Sequence, residues 1–164
     1  MRPFSAKYYD LPRCSLRRLE KSAGGALGPI LASMDPWRTL GFSPQGLSQY
    51  LCRPDSSLKR FRLVAQEQNI GVVCLRYPWL RGAYIELLAV FAPYQGEGLG
   101  REMMAWIVQQ TALEADNLWV AVSSFNHRAQ RFYQSFGFSQ VAVLTDLVKD
   151  GYDELLLRRR LSVG

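Results

Sequence analysis

Apolar residues along this chain follow two rhythms, one of period two and one near 3.6. Between Phe61 and Glu67 the residues Phe61, Leu63 and Ala65 fall on one face, as on a half-buried strand. Gln68-Asn69 reads as a turn and Ile70 to Tyr77 as a second strand closed by Pro78, so the two form an antiparallel hairpin. Gly82 introduces a central strand, Tyr84 to Phe91. Leu118 to Val122 is a compact apolar run of the kind buried on both faces of a sheet. Phe138 to Leu144 and Asp153 to Leu161 read as the last two strands, joined through a Lys149-Asp150-Gly151 turn. A short strand is expected around Ser5 to Tyr9.

The helical rhythm starts at Ser15. Leu16, Leu19, Leu27, Ile30, Leu31 and Met34 share it, but Gly24-Gly25 and Gly28-Pro29 interrupt it, which predicts two short helices or one broken one. Met34-Asp35-Pro36-Trp37 reads as a turn. Ser43-Pro44 supplies an N-cap followed by proline at the first helical position, and the helix runs to about Cys52, before Pro54. Met103, Met104, Ile107, Val108, Thr111 and Ala112 form a stripe whose two methionines belong to a core. That helix ends at Asp116-Asn117. A last helix spans His127 to Phe136 and closes at Gly137. No repeat, low-complexity stretch or linker interrupts the chain, so residues 1–164 are expected to form one domain.

Composition narrows the function classes. The 164 residues are 48% apolar and 21% charged, a globular rather than a disordered balance. No apolar run reaches ~18 residues, so no membrane association is expected, and MRPFSAKYYDLPR lacks the hydrophobic stretch of a secretory signal. Cys14, Cys52 and Cys74 are odd in number and scattered, which suits a reducing, cytoplasmic setting. His127 is the only histidine. No metal site is expected, and histidine-dependent nucleophilic catalysis has little to draw on. The net charge is +6, from 20 basic and 14 acidic residues. Only Arg17-Arg18 and Arg158-Arg159-Arg160 cluster, and no nucleic-acid-binding motif accompanies them, which argues against a nucleic-acid partner. A polyanionic small ligand or plain solubility accounts for the charge.

The chemistry-bearing stretch is Tyr84 to Gln110. A strand turns through Pro93 into Gln95-Gly96-Glu97-Gly98-Leu99-Gly100 and continues as a helix, the local architecture of an anion site. Glycines there let backbone amides approach a phosphate, since no Cβ intrudes. A P-loop would need Gly-Lys-Ser/Thr, and Gly100 is followed by Arg101-Glu102. A dinucleotide fingerprint starting at Gly98 would need a third glycine where Met103 stands. The pattern Gln/Arg-x-x-Gly-x-Gly/Ala is met at every fixed position. Further on, Asn126-His127-Arg128-Ala129-Gln130-Arg131-Phe132-Tyr133-Gln134-Ser135-Phe136-Gly137-Phe138 meets N-x-x-A-x-x-F-Y-x-x-x-G-F. Helical spacing puts Asn126, Ala129 and Tyr133 on one face, with Phe132 on an adjacent, core-facing one.

Together, and in this order, the two segments resemble the CoA-binding segments of the GNAT superfamily of N-acyltransferases. The resemblance covers about Phe61 to Leu161; the first 60 residues match only in being helical and variable. It implies an α/β (α+β) fold with a mixed, mostly antiparallel twisted sheet of six to seven strands, splayed at its centre, and about four helices on both faces. Residues 1–60 would then form the acceptor side and 61–161 the CoA-binding core. The implied reaction moves an acetyl group from acetyl-CoA to an amine (a protein N-terminus, a lysine or a small amine) by direct attack. An alternative is a CoA-binding or sensing module without turnover. The polypeptide would act as a monomer or homodimer.

The resemblance also implies roles. An ammonium of pKa ~10.4 must lose a proton before attack. Glu86 is the candidate base, working through a water. Alternation sets it on one strand face with Tyr84, Leu88 and Val90 as long as no bulge intervenes before Val90, and the competing reading is an ion pair with Arg76 or Arg81. The Val90 N–H matches the oxyanion donor, and Tyr133 matches the acid that protonates the leaving thiolate. Leu88, Ala89 and Val90, the loop residues Gln95, Gly96, Glu97, Gly98, Leu99 and Gly100, then Arg101, Asn126 and Ala129 would hold the CoA. Glu97 departs from the family's basic or neutral residue and must point to solvent. Trp37, the Tyr77-Pro78-Trp79 segment, and Thr145 to Tyr152 are candidate acceptor walls. The acidic Gly151-Tyr152-Asp153-Glu154 run only partly matches the ribosomal-protein N-terminal acetyltransferases of the family.

Overall fold

The computed structural model describes residues 1–161. In chain order the elements are β1 (Tyr8–Asp10), β2 (Ser15–Arg18), α1 (Lys21–Ala32), α2 (Trp37–Leu40), α3 (Pro44–Cys52), β3 (Leu58–Ala65), β4 (Gln68–Trp79), β5 (Gly82–Val90), α4 (Leu99–Thr111), β6 (Asn117–Ser123), α5 (His127–Ser135), β7 (Ser139–Lys149) and β8 (Tyr152–Arg160). This is an α+β fold with eight strands and five helices among the described residues, more of each than the sequence suggested. No helix among them is long and apolar enough to cross a membrane. The chain forms two compact units, each assembled from separated stretches.

The first unit comprises Met1–Leu19 and Asp55–Leu118, with Leu161. Its strands lie in the order β1-β2-β3-β4-β5, antiparallel throughout. The β3–β4 and β4–β5 hairpins each turn on two residues of positive φ, Gln66-Glu67 and Leu80-Arg81. The twist of such turns suits antiparallel strands. The first turn therefore falls two residues before the Gln68-Asn69 expected from composition. A register shift between Leu63 and Val64 then buries both neighbours, so Val64 takes the core place expected of Ala65. Met103, Met104 and Ile107 of α4 are fully buried. Trp106 on the same helix meets the rings of Phe4, Tyr9 and Phe61 edge-on at 5.4, 5.0 and 5.4 Å. Pairs of this kind contribute about 0.5–1.5 kcal/mol each beyond their buried area. Arg18 secures the N-terminal segment by donating from Nη2 to the carbonyls of Phe4, Ser5 and Ala6.

The second unit comprises Glu20–Pro54 and Trp119–Arg160. In it β8 lies between β6 and β7, and β7 pairs antiparallel with β8. Two expectations fail here and in the stretch just before. Ser15–Arg18 is strand β2, and α1 then runs unbroken through Gly24, Gly25, Gly28 and Pro29. The glycines are packing surface rather than breaks. A Cβ on Gly28 would stand 2.0 Å from Ser48 Oγ and 2.5 Å from the Pro44 carbonyl, so α3 presses directly on the α1 backbone. Pro29 removes the N–H that would have bonded the Gly25 carbonyl. The Ser48 hydroxyl donates to that carbonyl at 3.0 Å instead. The Met34–Trp37 turn opens a one-turn helix, α2, whose Thr39 amide and hydroxyl donate to Asp35. Helix α3 follows its sequence signal: Ser43 Oγ accepts from the Gly46 amide at 2.9 Å, with Pro44 at the first helical position.

Candidate functional site

In the first unit the strand, loop and helix of the glycine segment are all present. Along β5, Ala83, Ile85, Leu87 and Ala89 are buried, while Tyr84, Glu86, Leu88 and Val90 occupy the half-buried positions between them. Exposure thus alternates along the strand, but the register is broken at Glu86. Opposite Cys74–Leu75 the β5 strand carries one residue more than β4, and that residue is Glu86. An extra residue of this kind re-aims a side chain out of the regular ladder. At the strand end the Phe91 amide donates to the Ile70 carbonyl at 2.9 Å. The next pair, Gly71–Val90, is then a non-hydrogen-bonded one, and the Val90 N–H points away from β4. The Val90 carbonyl accepts Gln95 Nε2 at 2.8 Å, so the Gln95 side chain fastens the loop to the strand.

Gly96 and Gly98 adopt φ of +82° and +83°, a left-handed conformation that L side chains rarely take. Gly98 is the N-cap of α4 and has no side chain to offer the amides that follow it. The Glu102 amide donates to the Gly98 carbonyl at 3.2 Å. The amides of Leu99 and Gly100 lie ahead of that bond, at the positive end of the helix dipole. Leu99 is buried and anchors the turn. Glu97 is exposed to solvent, which removes the repulsion its charge would raise.

Glu86 accepts from Arg76 at both oxygens, from Nε at 2.7 Å and Nη2 at 3.1 Å. Arg76 Nη1 donates to Asp55 at 3.0 Å and to the Ser57 hydroxyl at 2.7 Å. The ion pair with Arg76, the competing reading of Glu86, is therefore present. The hydroxyl of Ser57 and then Arg76 hold the Asp55 carboxyl down at about 2, and Glu86 above all pushes the Arg76 guanidinium up. Two carboxylates around one guanidinium leave a net negative charge. Beside them Trp79 stacks on Tyr84 at 4.7 Å. Tyr77, by contrast, is packing: its ring meets Phe4 and its hydroxyl donates to Glu114.

In the second unit Asn126 caps α5, its Oδ1 accepting from the Ala129 amide at 3.1 Å. Two of the motif's fixed residues thus build the helix start. Tyr133 is the buried residue of α5, only 6% exposed, and its ring contacts Phe132 and Phe138. Phe132, expected in the core, is half-buried instead. Its ring also meets Phe136, the residue just past the helix. Sequence reasoning missed Glu154. It is buried and takes a 2.6 Å hydrogen bond from the Ser123 hydroxyl, and burial pushes its carboxyl up. Its place in an acidic surface-like run gave no sign of this. Arg13, in the β1–β2 turn, was also missed; it ion-pairs with Glu102, a partner 89 positions away that no local pattern could supply.

The model of the acetyltransferase (GNAT) family matches residues 31–138. No curated protein sequence matches the chain. Among solved structures, the fold is similar to that of the ribosomal-protein-S18-alanine N-acetyltransferase from Escherichia coli, with a TM-score of 0.72 at 19% identity over 92% of this chain and 96% of that one. It is similar to an acetyltransferase from Thermus thermophilus, with a TM-score of 0.72 at 19% identity over 93% and 100%. It is also similar to spermidine N-acetyltransferase from Vibrio cholerae, solved with CoA and spermine, with a TM-score of 0.71 at 17% identity over 90% and 95%.

Proposed function

Since the chain belongs to the GNAT family of acetyltransferases, we propose that it moves an acetyl group from acetyl-CoA to a primary amine by direct attack, through a tetrahedral intermediate. The observation that carries this reading is the start of α4. There, two left-handed glycines and a side-chain-free N-cap leave a row of amides for a diphosphate. Asn126 and Ala129, at the start of α5, match the family's second CoA-binding segment and are assigned to CoA on that resemblance.

The roles are assigned by resemblance to the family. The Val90 N–H, turned away from β4, serves as the oxyanion donor, a contribution of about 3–4 kcal/mol to the barrier where such donors have been removed. Leu88 and Ala89 line its approach. Glu86 is the base that draws the proton from the incoming ammonium through a water. A carboxylate offers about four acceptor sites, and Arg76 uses two. Tyr133 protonates the leaving thiolate. The net negative Asp55–Arg76–Glu86 group and the Trp79–Tyr84 stack suit a cationic amine, whether a protein N-terminus, a lysine or a small amine. The free cysteines suit a cytoplasmic protein, and the protein is read as a monomer or homodimer.

The Arg76–Glu86 pair also favours a second reading, a module that binds CoA without turnover, because a carboxylate so held can be purely structural. Acetyl-CoA offered with a panel of peptides, lysine derivatives and polyamines, with free thiol followed, separates the two. Amine-dependent thiol release supports the enzyme. Stabilisation by CoA without release under any amine supports the binding module, and neither response removes both.

A further inference from the structure

We propose that Arg13 is a binding residue for the CoA pyrophosphate, held by Glu102 at the lip of the glycine loop; the inference rests on the reading that this loop binds CoA. Glu102 lies in the first turn of α4 and puts a negative charge where a bound anion would be opposed. Arg13 answers that charge twice. Its backbone amide donates to Oε2 at 3.0 Å, and its Nε lies 3.2 Å from Oε1. The carboxylate is the covered partner, at 14% side-chain exposure, and the arginine the open one, at 60%.

The guanidinium packs against Gly98, with Nη1, Cζ and Nη2 at 3.2, 3.7 and 3.9 Å from the place a Cβ there would occupy. Gly98 is the residue that opens the α4 amides, so fork and amides border the same space. The arginine is itself fixed in place. It sits in the tight β1–β2 connection, where Leu11 donates to the Cys14 carbonyl at 2.9 Å and Asp10 pairs with Ser15. A planar fork of two N–H groups matches the oxygens of a phosphate. The glycine at 98 therefore serves twice: it takes a left-handed φ, and it leaves room for a cation beside the amides.

Calorimetric titration of CoA and of dephospho-CoA, which lacks the 3′-phosphate, tests the assignment on the wild type, Arg13→Gln and Arg13→Lys. Arg13→Gln is expected to weaken both ligands by about tenfold, the value of one charge-assisted contact, and Arg13→Lys to recover part of it. The urea midpoint of the unliganded Arg13→Gln protein should fall only slightly, since the arginine is the open partner of the pair. Equal affinities of wild type and Arg13→Gln overturn the inference. A loss seen with CoA and absent with dephospho-CoA overturns the pyrophosphate assignment. A wild type that binds neither ligand overturns the reading of the loop, and this inference with it, whereas tight wild-type binding with no Arg13 effect overturns this inference alone.

Discussion

Replacing Gly98 with alanine probes the loop on two counts that can be measured apart. At φ +83° and ψ 6° the residue is left-handed, and an L side chain there costs about 1–2 kcal/mol. Alanine also restricts the unfolded chain, which returns about 0.4–1 kcal/mol. The net loss of stability is therefore about 1 kcal/mol, or roughly 2–4 °C in Tm for a chain of this length. The new Cβ would meet Arg13 Nη1 at 3.2 Å, the far end of a flexible side chain that can yield. Gly96 supplies the control. Its φ is +82°, and a Cβ there meets nothing within 4 Å. Gly96→Ala and Gly98→Ala should thus lose similar stability in urea denaturation followed by tryptophan fluorescence. Only Gly98→Ala displaces Arg13 from the α4 amides, so calorimetry should show it binding CoA at least about tenfold more weakly than Gly96→Ala does. Equal CoA affinity in the two variants would refute the reasoning about what Gly98 makes room for, and unchanged stability in both would refute the backbone argument.

Three further outcomes are expected. Gly28→Ala should destabilise the protein by about 3 kcal/mol, the upper end for overpacking, because α1 and α3 must part by about 1 Å or more to admit a methyl group 2.0 Å from Ser48 Oγ; a urea midpoint near the wild type's would contradict that packing. Tyr133→Phe and Glu86→Gln should each keep CoA binding nearly intact while turnover falls on the order of a hundredfold; undiminished thiol release in either removes that residue from its role. The Asp55 carboxyl, held at about 2 against an ordinary 3.8, stabilises the fold when ionised. That contribution is full above about pH 4 and is lost as pH falls toward 2. The urea midpoints of wild type and Asp55→Asn should differ at pH 6 and converge as pH drops through that window, and a gap independent of pH would exclude the ionised Asp55 carboxylate, held by Ser57 and Arg76, as its source.

How much of this was legible in the sequence depended on how local the cause was. Ser43-Pro44 and Asn126 announce helix starts because the capping atom lies three positions from the amide it takes. The left-handed glycines sit in a pattern that only a loop entering a helix uses. Where the cause was distant, reading failed. Gly28 looked like a helix breaker because the surface it accommodates, α3, lies some twenty residues further on. Pro29 was tolerated only because the Ser48 hydroxyl satisfies the carbonyl it strands. The strand β2 hid inside a helical pattern, since Leu16 is buried by pairing with β3 rather than by a helix stripe. For Glu86, alternation gave the face, and Arg76 had been named as one possible partner, but the bidentate geometry and the link on to Asp55 needed the fold.

A crystal structure of the protein with CoA bound tests the anion-binding role of the glycine loop most directly. Pyrophosphate oxygens are expected within hydrogen-bond distance of the backbone amides between Gly96 and Arg101, with the Arg13 guanidinium on the same group. Phosphates bound away from those amides, with the α4 N-terminus left to solvent, would contradict it.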